Sequence, residues 1–111
     1  MEISEECAGN ITFIAIKGRI DSSTANAFGV KLISLIKAGQ TRLIVDLNRV
    51  TYITSAGWRE LLLASHLAEQ IDGALALCSL SEEVRHLYDF GGFADLFPIY
   101  ETRDEGLTKL L

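Results

Sequence analysis

The run Leu43-Ile44-Val45-Asp46-Leu47-Asn48-Arg49-Val50-Thr51-Tyr52-Ile53-Thr54-Ser55-Ala56-Gly57 decides the fold. Its first five residues are apolar but for Asp46 and β-branched at the centre, too short for a helix and suited to a parallel strand covered on both faces. Residues 48–54 then lead to a helix predicted over Ala56–Gln70. There Leu61, Leu62, Leu63, Ala64, Leu67 and Ala68 spread apolar surface around much of the circumference, which predicts a largely buried helix. A buried strand running directly into a buried helix is half of a βαβ unit.

The same alternation extends outward in both directions. Upstream, Ile3, Glu5 and Cys7 alternate with Glu2, Ser4 and Glu6, and Gly9-Asn10 separates them from the apolar run Ile11–Ile16, which predicts an antiparallel hairpin at the edge of the sheet. Asp21-Ser22-Ser23-Thr24 is a cluster of capping residues ahead of Phe28, Leu32, Leu35 and Ile36 at helical spacing. That helix is expected to end near Lys37, with Gly39 in the left-handed conformation. Downstream, Ala74–Cys78 reads as a third buried strand. Ser79, Ser81, Glu82 and Glu83 open a helix that Gly91-Gly92 stops, Leu96–Tyr100 reads as a last strand, and Asp104–Leu111 as a last helix. The sequence therefore predicts one α/β domain over residues 1–111. Its sheet is mixed and mainly parallel, of four to five strands packed with about four helices, its N-terminal edge strand antiparallel and its crossovers right-handed.

Composition narrows the function. With 49% hydrophobic residues in 111, one ordinary core can be built, and the single Pro and the absence of a Ser/Gly tract leave no linker. A formal net charge of -5 without a Lys/Arg run argues against nucleic acid as a partner. The acidic start Glu2-Ile3-Ser4-Glu5-Glu6 and the short apolar stretches argue against a signal peptide or membrane insertion, which places the chain in the cytoplasm as an expectation. Cys7 and Cys78 belong to no paired spacing and read as reduced, packed thiols; no metal or other cofactor is implied. His66 and His86 lie inside predicted helices without a ligand partner four residues on. No phosphate-cradling glycine motif or nucleophile elbow is present, so the chain does not read as an enzyme.

In an open parallel sheet the functional loops lie beyond the carboxyl ends of the strands, here 20–24 and 52–57. Ser55 stands at a helix start, where the ordinary reading is an N-cap. The same place also tolerates a phosphate, because free backbone N–H groups and the helix dipole favour negative charge by about 0.3–1 kcal/mol. Set into a partner interface, a phosphate's charge of about -1.5 to -2 demands desolvation and repels neighbours such as Asp21. The local gain is small and the interfacial cost reaches a few kcal/mol, so modification would block binding without refolding the domain.

These segments resemble the STAS domain of the bacterial anti-sigma factor antagonist type over almost the whole chain. Gly18-Arg19-Ile20-Asp21 with Ser23-Thr24-Ala25 is similar to the family's turn into its first helix, and Leu43–Val50 to its central strand. Tyr52-Ile53-Thr54-Ser55-Ala56-Gly57 resembles its aspartate-serine-serine-glycine segment. Ser81-Glu82-Glu83-Val84 through Gly92-Phe93, Leu96-Phe97 and the final helix continue the pattern. The resemblance implies a STAS-type fold and an anti-sigma factor antagonist. Such a domain captures, when unphosphorylated, an anti-sigma factor that is also a serine kinase; phosphorylation releases it and a serine phosphatase resets it. Ser55 would be the phosphoacceptor, with Asp21, Ser22, Ser23 and Gly57 shaping the site. The sequence departs from the pattern at three positions. Thr54 replaces an aspartate and is itself a candidate second acceptor, Trp58 replaces an aliphatic residue, and Arg59 a small one.

Trp58 either packs beneath the loop or is an exposed partner contact, and Arg59 is either solvated or a partner for phosphate or an acidic surface. Two further readings stand beside the switch. One is an unphosphorylated STAS subunit acting as an accessory component, for example of an ABC-type lipid transporter. The other is a small-ligand sensor with its pocket between the two strand-to-helix loops.

Overall fold

The computed structural model describes residues 1–91 and 96–110. Five strands, β1 (Glu2–Ala8), β2 (Ile11–Ile20), β3 (Arg42–Ile53), β4 (Ala74–Cys78) and β5 (Ile99–Tyr100), form one sheet in the order in which they occur in the chain. β1 pairs antiparallel with β2, and every other neighbour is parallel. This is the mixed sheet expected, with β1 as its antiparallel edge. Among the described residues four helices accompany it: α1 (Ala25–Lys37), α2 (Ser55–Gln70), α3 (Glu82–Phe90) and α4 (Arg103–Leu110).

Two apolar clusters show how the layers are arranged. The larger joins Ile14, Ile16 and Ile20 of β2 and Leu43, Val45 and Leu47 of β3 to Phe28, Leu32 and Ile36 of α1, Leu61 and Ala64 of α2, and Val84 and Tyr88 of α3. The smaller sets Leu110 and Leu107 of α4 against Ile11, Phe13, Ile44, Ala76 and Cys78. The three crossover helices thus cover one face of the sheet, and α4 covers part of the other. Apolar side chains on both alternations of β2 and β3 follow from being covered twice.

Local chemistry sets the helix ends. The Ser81 hydroxyl accepts from the Val84 N–H at 3.3 Å and caps α3, whose first turn carries Glu82 and Glu83 where the helix dipole favours them. α1 ends at Lys37, and Gly39 takes φ +97° to turn the chain toward β3.

The structure departs from the sequence reading in several places. β3 does not end at Leu47 but runs on to Ile53, and β5 holds only Ile99 and Tyr100 of the strand expected from Leu96. Leu63 of α2 is 52% exposed, so α2 is buried along one side and not all round. Cys78 is buried, but Cys7 is exposed, since β1 is an edge strand facing solvent along most of its length. Gly92 and Phe93, read as part of a helix stop and of the family pattern, and Leu111 of the last helix lie outside the described residues.

The extension of β3 has a clear cause. Its helix-facing residues are Leu43, Val45, Leu47, Val50 and Ile53, so the alternation slips once after Leu47 and again after Val50. The β2–β3 register shifts at the same two places. Each slip is a bulge, which turns two consecutive residues, Asn48-Arg49 and then Thr51-Tyr52, away from the helices.

Candidate functional site

The carboxyl ends of β2 and β3 meet at one rung. Ile20 stands opposite Ile53, and the Ile20 carbonyl accepts from the Thr54 N–H at 2.9 Å and from the Thr54 hydroxyl at 3.5 Å. The loop into α1 and the start of α2 are therefore fastened together, with Asp21 and Ser55 each one residue beyond the fastening. This brings together the two loops that the sequence singled out.

α2 starts one residue earlier than Ala56. Thr54 holds the N-cap position with extended backbone (φ −89°, ψ 171°), and its carbonyl accepts from the Trp58 N–H at 3.1 Å. The N-cap reading of Ser55 is thus corrected: Ser55 is the first helical residue, it is exposed, and its hydroxyl makes no hydrogen bond to the described residues. Thr54 is half-buried with its hydroxyl turned inward to Ile20. The first turn of α2 carries no acidic side chain, so the positive end of its dipole is not neutralised locally.

Gly57 explains how this turn sits so close to the sheet. A β-carbon there would come within 2.7 Å of both Ile20 Cγ2 and Ile53 Cγ1. Only a residue without a side chain lets α2 rest on the ends of both strands. Gly57→Ala is expected to cost about 1–3 kcal/mol by overpacking, read as a lowered denaturation midpoint with an unchanged slope. An unchanged midpoint would show that the turn adjusts freely.

Asp21 organises the adjacent loop. Its Oδ1 accepts from the Ser23 hydroxyl at 2.7 Å and the Ser23 N–H at 3.0 Å, while its backbone N–H donates to the Thr24 hydroxyl at 2.9 Å. The bond from the Ser23 hydroxyl, then that from the Ser23 N–H, hold the Asp21 carboxyl below its ordinary pKa, and Arg19 beside it acts in the same direction. Asp21 is therefore a fixed negative charge at neutral pH. Ser22 and Ser23 are exposed at the tip of this loop.

Trp58 is only 2% exposed. It packs under the loop against Tyr88, with ring centroids 5.4 Å apart, and Phe97, 6.5 Å away. The alternative of an exposed aromatic contact is overturned, and what reaches solvent is Arg59, which forms no ion pair with the described residues. His66 and His86 are also exposed, the latter with its ring 4.5 Å from that of Phe90.

Two residues of this surface escaped the sequence reading. Arg19 and Tyr52 stand opposite each other in the ladder, the guanidinium 4.6 Å from the ring centroid, and Arg19 also lies 3.7 Å from Asp21. The signal that would have found them is the pairing of β2 with the bulged end of β3, a long-range property. Among the described strands the order never reverses, so the sheet has no switch point at which a ligand crevice would be expected, and the shared Ile20 carbonyl and Gly57 draw the two loops together at their base. Among the described residues no helix is long and apolar enough to cross a membrane.

Comparisons with known proteins agree with this architecture. A Bordetella bronchiseptica protein, provisionally named anti-sigma factor antagonist BtrV, is 30% identical over 104 residues, covering 94% of this chain and 90% of its own. A Thermotoga maritima protein provisionally described as an anti-sigma factor antagonist superposes with a TM-score of 0.90 at 16% identity, over 97% of this chain and 93% of its own. The anti-sigma factor antagonist SpoIIAA superposes in its unphosphorylated form with a TM-score of 0.82 at 21% identity, over 97% and 95% of the two chains. The phosphorylated form of SpoIIAA, from Bacillus, gives 0.74 at 20%, over 99% and 100%. The family model for the STAS domain matches residues 2–106. The sheet order, the two fastened loops and these matches together show that the chain belongs to the STAS domain family.

Proposed function

We propose that this protein is an anti-sigma factor antagonist whose binding surface is the Ser55 end of α2, and that phosphorylation of Ser55 by a partner serine kinase switches it off. The observation that carries this reading is the Ser55 hydroxyl itself. Ser55 is exposed, its hydroxyl makes no hydrogen bond to the described residues, and it stands in the first turn of a helix, where the first N–H groups lack intrahelical partners, fastened to the Asp21 loop through Ile20. The name of BtrV and the existence of SpoIIAA in a phosphorylated form support it.

Ser55 is favoured over Thr54 as acceptor because the Thr54 hydroxyl is turned inward to Ile20. Arg59, four residues on, lies on the same side of the helix and is free to meet the phosphate or an acidic partner surface. Trp58 acts from beneath, holding the turn on α3, while Asp21, Ser22 and Ser23 form the opposite rim. The negative charge of Asp21 adds to the repulsion that a modified Ser55 would present to a partner. A serine phosphatase would restore the binding form.

Incubation with the cognate anti-sigma factor kinase and ATP, followed by peptide mass spectrometry, is expected to place phosphate on Ser55 and to leave Ser55→Ala unmodified. Absence of phosphate from both Ser55 and Thr54 would sink the switch. An accessory STAS subunit would then be the better account, with Ser55→Ala silent in every binding assay.

A further inference from the structure

On the sheet face away from α1, α2 and α3 lies a cleft of about 370 Å³, lined by Glu2, Lys17, Asp46, Asn48, Arg49 and Arg103 among others. The first bulge of β3 builds it. In a regular strand Asn48 and Arg49 would point to opposite faces, but with Leu47 and Val50 both in the helix-side core, both line the cleft.

The charges in the cleft fall into two groups. Arg103 is already satisfied: its Nε donates to Asp46 Oδ2 at 2.7 Å, it lies 3.7 Å from Glu6, and its guanidinium rests 5.1 Å from the Phe13 ring centroid. Asp46 is engaged too, its Oδ1 accepting from the Asn48 N–H at 2.9 Å. Lys17 and Arg49 are different. They stand directly opposite each other in the β2–β3 ladder, both exposed, and neither side chain forms an ion pair or hydrogen bond with the described residues. Like charges at directly opposed positions destabilise a sheet. In a chain of net charge -5, this lining carries Lys17, Arg49 and Arg103 against Glu2 and Asp46, so its balance is positive, and the surplus sits at the Lys17–Arg49 pair because Arg103 and Asp46 engage each other.

We infer that this cleft binds a small dianion, a phosphate monoester or a dicarboxylate, held between Lys17 and Arg49 with the Asn48 amide as a further donor. The cleft lies in the size range of small-molecule sites. Glu2, opposite Lys17 on its other side, is the one competing carboxylate not engaged elsewhere, and it weakens the site. This inference is independent of any role of Ser55.

The test is calorimetric titration of the full chain with orthophosphate and, separately, with malonate, at low ionic strength in a buffer without multivalent anions. Saturable binding by either anion is expected, and the tighter of the two identifies the ligand class. Lys17→Gln and Arg49→Gln should each raise Kd about tenfold or more, since each removes a charge-assisted contact. Glu2→Gln should lower Kd, and Ser55→Ala should leave it unchanged. In the same buffer without added anion, the Lys17→Gln/Arg49→Gln double variant should melt no lower than the wild type, because a repulsion is removed. Binding that does not saturate, or that persists equally in the variants, would overturn the site. So would a double variant that melts lower, since the two cations would then be structural.

Discussion

Trp58→Ala is expected to remove about 3–5 kcal/mol of folding stability, the usual cost of emptying a buried aromatic position. Trp58 is among the largest fully buried side chains, and it joins the first turn of α2 to Tyr88 of α3 and to Phe97. Against a total of about 5–15 kcal/mol for a domain, such a loss is a large fraction. At roughly 4–8 °C per kcal/mol for a domain near this size, the thermal midpoint should fall by more than about 12 °C. Trp58→Phe keeps most of the contact and should cost much less. Urea denaturation followed by far-ultraviolet circular dichroism reads both. A midpoint for Trp58→Ala close to the wild type would show that the ring is not the pillar beneath the Ser55 turn.

The second large effect is on binding and should leave stability almost alone. Phosphorylation of Ser55 is expected to weaken capture of the cognate anti-sigma factor by roughly two orders of magnitude, the equivalent of about 3 kcal/mol. The fold itself should shift by no more than about 1 kcal/mol, because a phosphate at the start of α2 meets free N–H groups and the positive end of the dipole. Ser55→Asp should weaken binding less, since it carries less charge, and Ser55→Ala should bind like the wild type. Calorimetry with the purified partner, paired with melting curves of the same samples, separates the two quantities. A phosphorylated protein that binds undiminished, or one that unfolds, would refute an interfacial block.

Much of the fold was legible because the local signals agree with each other. The hairpin at Gly9-Asn10, the Ser81 cap with Glu82 and Glu83, and the end of α1 at Lys37 all rest on residues that act within a few positions of themselves. β3 was read too short because period-two alternation is the signal for a strand, and the pairs Asn48-Arg49 and Thr51-Tyr52 break it without ending the strand. A bulge is specified by the partner strand, which no local window contains. The site was legible in part: the two loops were found, but not that one carbonyl fastens them. Whether Trp58 faced solvent or core depended on Tyr88 and Phe97, thirty and more residues away. The boundary between Thr54 and Ser55 turned on which hydroxyl meets Ile20, a contact across the sheet.

The two bulges of β3 also set a rule of parity for this chain. From the rung Thr12–Leu43 to the rung Ile20–Ile53, β2 advances eight residues and β3 advances ten. Each extra residue alone would reverse which face every later residue of β3 presents; together they cancel, and Ile53 points into the core as it would in an unbroken strand. Loss of one residue between Asn48 and Tyr52 would hand the helix-side position of Ile53 to a neighbour and carry the Ser55 turn round with it. Loss of one from each bulge would not. Length variation in this strand is therefore tolerated in pairs, and the orientation of the surface at its end is stored as an even number.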